Sequence, residues 1–446
     1  MLELHKQNRG RAGACRFNIP PAPKMQSGKE EIHMEQGRRR KRRVALGLAF
    51  VMAMMVFAQG CRGQGASKEE GGVSQAQNMN ASQGNAADPQ EGPASDAMGR
   101  FVEEERALPS EDGIPMGLFA QEDGSILYYD GEIYRSTDQG ETWQKEEGLT
   151  GRLKEHTSDN SYLMHLAADR KGNQAFIYAE LGETEQGEES TDISTKALYV
   201  DTEGNAVPIM LDDTGEIYPQ SLCFSPDGRL FLLMSGNGVG AVQEADTASG
   251  QTAQLFTAGR SFDGCGFSGS ILAAVSGEEA CLYNLETGEL LEQDTVLGEF
   301  LASLYGGDSW YKDAVSGIAV TGGETENTIY LATGRGLYRH VLGGTVMEQV
   351  IDGNLSSFGR PDTEIRSILQ LADGNFLALF GGRLCYYRYD ATLPAMPSQQ
   401  LTVYSLEENS TIRQAISQYQ SVNPDVYIRY EVGMDGESGM TWDDAV

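Results

Sequence analysis

Six short apolar runs recur along this chain at a spacing that neither one compact sheet nor a helix bundle produces. They lie at residues 125–130 (SILYYD), 174–180 (QAFIYAE), 229–235 (RLFLLMS), 270–276 (SILAAVS), 328–334 (TIYLATG) and 375–381 (NFLALFG). Their starts are 49, 55, 41, 58 and 47 residues apart, a mean of 50. A period near fifty belongs to repeat architectures, either propellers or solenoids. Most runs follow a glycine that closes a turn: Asp123-Gly124, Lys171-Gly172, Asp227-Gly228, Gly269 and Asp373-Gly374. Asp-Gly there supplies the positive φ of a tight hairpin.

A second run follows each first one, and five of the six carry an aliphatic residue or Cys before Tyr: Ile133-Tyr134, Leu198-Tyr199, Leu282-Tyr283, Leu337-Tyr338 and Cys385-Tyr386. Further turns come at Asp138-Gln139-Gly140, Thr202-Glu203-Gly204, Ser249-Gly250, Glu286-Thr287-Gly288 and Gly343-Gly344, each leading to a last short strand. Each unit therefore reads as four antiparallel strands joined by hairpins, one propeller blade. The fold class is mainly β, a six-bladed propeller over residues 101–395, with seven blades as the alternative. The last unit has no obvious fourth strand, and residues 101–108 are the candidate to supply it from the start of the domain. The acidic stretch 181–195 reads as an exposed loop interrupting the second blade.

Charge divides the chain unequally. The net charge is -31, yet residues 1–60 hold 12 Lys and Arg against 4 Asp and Glu, leaving 22 basic and 61 acidic residues beyond them. A body that acidic repels a polyanion, so no nucleic-acid partner is expected. The basic block Arg38-Arg39-Arg40-Lys41-Arg42-Arg43 precedes an uncharged apolar run at 44–57, then Ala58-Gln59-Gly60-Cys61. Fourteen apolar residues suit a signal-peptide core and are too few to span a bilayer comfortably. A small residue directly before Cys61 resembles the lipobox of bacterial lipoproteins, with Ala58 where that family prefers a large aliphatic residue. The resemblance implies cleavage behind Gly60, lipidation of Cys61 and anchoring of the mature chain to the bilayer. Residues 1–60 are thus a leader, with Met34 as an alternative start. Residues 61–100, rich in Gly, Ser, Ala, Gln and Asn, read as a flexible tether.

The first blade contains Ser136-Thr137-Asp138-Gln139-Gly140-Glu141-Thr142-Trp143. This octapeptide resembles the Asp-box (BNR) repeat of sialidase-like propellers, and the resemblance implies a structural role for Ser136, Asp138, Gly140, Thr142 and Trp143. Residues 282–288 similarly resemble the late strand and turn of WD-type blades. Sialidase catalysis needs a Phe/Tyr-Arg-Ile/Leu-Pro motif among other features, and no such tetrapeptide follows the leader. The chain is therefore expected not to be an enzyme, a sialidase-like glycoside hydrolase being the alternative.

No metal or cofactor is expected, because His156, His165 and His340 are scattered and no metal or phosphate motif occurs. The pairs Asp212-Asp213 and Asp443-Asp444 read as solvated turns. Cys223, Cys265, Cys281 and Cys385 lack CxxC spacing and read as small buried hydrophobes, with disulfides as the alternative. Residues 383–389 (RLCYYRY) could stack on sugar rings, but their place in the repeat favours core packing.

After residue 395 the pattern changes. Residues 401–406 read as a strand, and Asn409 or Ser410 caps a helix with Ile412, Ala415, Ile416, Tyr419 and Val422 on one face. Asn423-Pro424-Asp425 ends it before a second alternating strand at Val426, Ile428 and Tyr430. This βαβ order resembles the start of extracellular solute-binding proteins of sugar ABC importers. Residues 400–446 are read as an incomplete beginning of such a domain, and the chain as a fragment or the product of a split gene. The resemblance implies a small-molecule ligand of carbohydrate class and an ABC permease as partner. The alternative is a propeller scaffold for surface proteins or glycans.

Overall fold

The computed structural model describes residues 99–446 except 111–112, 147–154, 159–160, 184–188, 212–216, 306–316, 324, 326, 362–363, 408 and 435–446. Cys61, the leader, residues 61–98 of the tether, Asp212-Asp213 and Asp443-Asp444 lie outside the described residues, and Arg100 at the end of the predicted tether already belongs to the first strand.

Twenty-four strands form six four-stranded antiparallel sheets, the blades of a propeller. The chain enters through β1 (Arg100–Arg106) and then builds blade 1 from β2 (Gly117–Ala120), β3 (Ile126–Tyr129), β4 (Ile133–Ser136) and β5 (Gln144–Lys145). Blade 2 comprises β6 (Ser161–Ala168), β7 (Gln174–Glu183), β8 (Glu189–Val200) and β9 (Ala206–Ile209). Blade 3 comprises β10 (Tyr218–Phe224), β11 (Leu230–Gly236), β12 (Val239–Ala245) and β13 (Thr252–Ala258). Blade 4 follows with β14 (Gly264–Ser268), β15 (Ile271–Ser276), β16 (Glu279–Asn284) and β17 (Glu289–Leu290). Blade 5 holds β18 (Ala319–Gly322), β19 (Thr328–Thr333), β20 (Gly336–Val341) and β21 (Met347–Asp352). Blade 6 holds β22 (Ile365–Gln370), β23 (Phe376–Phe380) and β24 (Arg383–Asp390), completed by β1 as its outermost strand.

The six apolar runs are the second strands. Every residue of β3, β11, β15, β19 and β23 is buried, because each such strand is covered on both faces by neighbouring blades. Four of their entry hairpins share one form. In Gln121–Ser125, Asp169–Asn173, Ser225–Arg229 and Leu371–Asn375, the first N–H donates to the fifth carbonyl and the glycine N–H donates back to the first. The fourth residue needs a positive φ, met by Gly124, Gly172, Gly228 and Gly374 at 80, 92, 92 and 80°. Aspartates brace these turns. Asp169, for example, accepts from the amides of Lys171 and Asn173 at 2.8 and 2.9 Å.

β1 closes the ring by pairing antiparallel with β24, Phe101 opposite Tyr389 and Glu103 opposite Tyr387. Glu103 fixes the join. Its carboxylate accepts from the Ser357 amide and hydroxyl at 2.6 Å each and from the Tyr387 hydroxyl at 2.9 Å. Burial, followed by the nearby Glu103 charge, pushes the Tyr387 hydroxyl well above the usual tyrosine range. It therefore stays protonated as the donor. Phe101 adds ring contacts to Phe376 and Tyr389, with centroids 5.4 and 5.3 Å apart.

Two segments differ from the sequence-based reading. The 58-residue interval before the fifth run holds a helix, α1 (Thr295–Tyr305). Leu297, Leu301 and Leu304 bury one face of it, and the Asp294 carboxylate accepts the Leu297 amide at 3.0 Å. Residues 181–195 are mostly paired strand rather than loop: β7 and β8 pair out to Glu183 opposite Glu189, with a register shift between Leu181 and Glu183. The acidic composition had suggested solvent, and the ladder supplies backbone partners regardless of it.

The C-terminal unit is βαβ: β25 (Gln399–Glu407), α2 (Ser410–Val422) and β26 (Val426–Met434), with the strands parallel. Asn409 caps α2 through the amides of Thr411 and Ile412 at 3.0 and 3.2 Å. The predicted apolar face is only partly covered. Ile412 and Ile416 are half-buried, while Ala415, Tyr419 and Val422 are exposed. Among the helix residues whose burial is described, the buried one is Gln420, which reaches the Asn354 carbonyl and the Ile428 amide and so joins α2 to the turn after β21. Arg100 adds a bond of 2.6 Å to the Pro424 carbonyl.

Glu103→Ala removes the acceptor for three donors at the closing strand. The unfolding free energy, measured by urea denaturation, is expected to fall by roughly 3 kcal/mol.

Candidate functional site

The innermost strands β2, β6, β10, β14, β18 and β22 surround an axial cavity of about 470 Å³, lined by their C-terminal halves and the hairpins that follow. That volume lies within the range of small-molecule sites. Three half-buried phenylalanines are among the lining residues, Phe119, Phe224 and Phe267 from blades 1, 3 and 4; Phe224 and Phe267 also pack against Tyr199 and Phe231 of the inter-blade core, with ring centroids 6.4 and 5.5 Å apart. Thr321, Ser367 and Gln370 supply polar groups, and among the described residues the charged ones in the lining are Asp169 and Arg170. Asp169 is spent on its own turn, accepting the Asn173 side-chain amide at 2.7 Å in addition to the two backbone amides. The described wall thus offers apolar side chains with hydroxyl, amide and guanidinium groups.

A second cavity, about 360 Å³, lies between blades 5 and 6 and includes Phe101, Tyr330, Phe376, Arg339 and Tyr389. Within 383–389, Leu384, Cys385, Tyr386 and Tyr387 are buried. Tyr389 is 47% exposed at the edge of that second cavity.

The turn after β4 places Ser136, Asp138, Gly140, Thr142 and Trp143 away from both cavities. Asp138 Oδ1 accepts from Ser136 Oγ at 2.7 Å and from the Thr142 amide at 2.9 Å, and Oδ2 accepts from Thr142 Oγ1 at 2.5 Å. Ser136 Oγ in turn accepts the Gly140 amide at 2.8 Å. Partial burial opposes ionisation of Asp138, but the Thr142 hydroxyl and amide and the Ser136 hydroxyl outweigh it and hold the carboxyl below the usual range. Trp143 covers the turn against Tyr128, ring centroids 5.6 Å apart. Gln139 donates to Asp373 of blade 6 at 2.9 Å, tying two hairpins across the closing seam.

Sequence spacing did not reveal three pairings between units. His165 on β6 accepts the Leu222 amide of blade 3 through Nδ1 at 3.4 Å, and burial lowers its pKa to about 4. His340 is fully buried, with Nε2 2.8 Å from Asp294 Oδ2 and Nδ1 2.9 Å from the Val346 carbonyl. Burial opposes the Asp294 charge, but the Leu297 and Gly343 amides and the His340 ring outweigh it and keep its pKa low. Finally, the sulfurs of Cys223 and Cys265 approach to 3.0 Å at the cavity wall. No pattern along the chain signals these contacts, because each joins residues of different repeats. Among the described residues no three His, Cys, Asp or Glu side chains gather into a metal-binding group.

No protein-family model matches the chain, and no curated protein sequence matches it. Solved structures do. A streptogramin B lyase is 16% identical, covering 67% of this chain and all of its own, with a TM-score of 0.42. A gluconolactonase from Xanthomonas campestris is 10% identical over 66% of this chain and 92% of its own, TM-score 0.43. A luciferin-regenerating enzyme is 10% identical over 64% and 95%, TM-score 0.42. Likeness at this level carries no residue role or reaction to this chain. These three proteins are nonetheless named as enzymes, so the expectation that this chain is not an enzyme is withdrawn and its catalytic status stands open.

Two outcomes are expected. Asp138→Ala lowers the unfolding free energy by about 1–2 kcal/mol in urea, since its three bonds brace an exposed turn. His165 is neutral in the fold and binds its proton more readily when unfolded, so its contribution is complete above about pH 6.5 and is lost as pH falls toward 4. Stability at about pH 4.5 drops by roughly 2–3 kcal/mol on this account, and His165→Gln removes that part of the pH dependence.

Proposed function

We propose that this chain is a membrane-anchored extracytoplasmic protein whose propeller recognises a small ligand of carbohydrate class in its axial cavity. The observation that carries the reading is the cavity wall: Phe119, Phe224 and Phe267 beside Thr321, Ser367, Gln370 and Arg170, in a volume of about 470 Å³. Pyranose rings present apolar faces for aromatic packing and hydroxyls for amide, hydroxyl and guanidinium partners, so such a wall suits them. The leader ending in Gly60-Cys61 supports export and lipid anchoring through Cys61.

The βαβ unit supports a link to solute capture for an ABC permease. Its parallel pairing suits the opening of a larger α/β sheet, and Leu401 and Tyr404 on β25 are 52% and 53% exposed. Surface of that kind is what further strands and helices of a solute-binding domain would cover.

Calorimetric titration of the purified chain with a panel of neutral mono- and disaccharides tests the central part. At least one sugar is expected to bind, with affinity falling about tenfold in Gln370→Ala or Phe119→Ala. Binding that persists unchanged in both variants, or no binding across the panel, contradicts the reading. Turnover of a bound sugar would make the same cavity an active site. Anchoring is tested separately: labelled palmitate is expected on the wild-type chain and absent from Cys61→Ser.

A further inference from the structure

Cys223 lies near the end of β10 and Cys265 near the start of β14, on the inner strands of blades 3 and 4. Both are half-buried, both line the axial cavity, and their sulfurs are 3.0 Å apart. A disulfide bond is about 2.05 Å long, so the pair stands roughly 1 Å from bonding distance, within reach of small side-chain rotations. The seam they occupy is the sparsest in the inner ring: of the neighbouring inner strands, β10 and β14 meet least. Cys281 shares the same inter-blade layer, opposite Ala274 on the row that also holds Cys265. It sits two strands out from Cys265, about 10 Å away, and cannot compete for the bond.

We infer that Cys223 and Cys265 are a dithiol–disulfide pair whose oxidation staples blades 3 and 4 at the wall of the axial cavity. The oxidant is an organic disulfide, of a small molecule or of a thiol–disulfide oxidoreductase. One cysteine thiolate attacks a sulfur of that disulfide, forming a mixed disulfide and releasing the first thiol of the oxidant. The second cysteine, deprotonated, then attacks the sulfur of the first, forming the intramolecular bond and releasing the other thiol. Two electrons pass to the oxidant, and the two cysteine protons end on its thiols. The closed loop spans the hairpins of blade 3 and so restrains the unfolded chain. The Cys265 hydrogen bond and burial push the Cys223 thiol up, so the reaction requires deprotonation and accelerates with pH.

The test is exchange of the folded full chain with excess oxidised glutathione at about pH 8, followed by alkylation and peptide mapping under non-reducing conditions. Trypsin leaves Cys265 and Cys281 in one peptide, and cleavage after Glu278 or Glu279 separates them. The expected result is the loss of two hydrogen masses and a cross-link between the peptides of Cys223 and Cys265, with Cys281 alkylated. The oxidised chain is expected to melt about 5 °C above the reduced one, a shift kept in Cys281→Ser and absent from Cys265→Ser. Full alkylation of both cysteines after exchange, separate glutathione adducts at the two positions, or a cross-link to Cys281 would each overturn the inference. The mapping uses the unaltered chain, so it decides the matter even if the serine variant fails to fold.

Discussion

The pairing of β1 with β24 is the constraint on which the rest depends. Six blades packed face to face form a ring only if the last blade meets the first, and blade 6 takes its outermost strand from the beginning of the domain. That strand is polar, reading Arg-Phe-Val-Glu-Glu-Glu-Arg, so apolar burial alone does not hold it. The Glu103 carboxylate gathers the Ser357 amide, the Ser357 hydroxyl and the Tyr387 hydroxyl into one site. An acceptor bridging separate elements turns a strand end into a clasp, because freeing the strand strands three donors at once.

Closure also sets the cavity. With the ring fixed, the C-terminal halves of the inner strands bring Phe119, Phe224 and Phe267 into the lining of one cavity. The hairpins after Phe119 and Phe224 are braced by Asp123 and Asp227, and the Gln121 side chain donates to the Asp169 carbonyl at 3.0 Å. The wall is therefore built on rigid elements, which lowers the ordering cost of binding. The looser seam between β10 and β14 is the place where that wall has least backbone support, and the two thiols lie on it.

The blade pattern was legible because a strand buried on both faces must be apolar throughout, and because Asp-Gly turns mark where it begins. The closing strand was legible as the missing partner of the last blade. Helix α1 was overlooked although Leu297, Leu301 and Leu304 carry helical spacing, since the surrounding period was read only for strands. Contacts between blades had no signature. Cys223 lies opposite Phe231, the second residue of β11, whereas Cys265 lies opposite Ala274, the fourth of β15. Aligned by repeat, Cys223 would fall level with Phe267, which is opposite Leu272, and the stagger between blades instead sets it beside Cys265. His340 and Asp294 are 46 residues apart and meet only because α1 starts beside β20.

Native-state amide hydrogen exchange, read by mass spectrometry on peptides spanning residues 100–106 and 383–390, tests the closing clasp most directly. If the ring depends on it, the β1 amides that bond to β24 exchange only with global unfolding, at the same slow rate as β11 and β23. Exchange of β1 by local fraying, while the six second strands stay protected, would contradict the account.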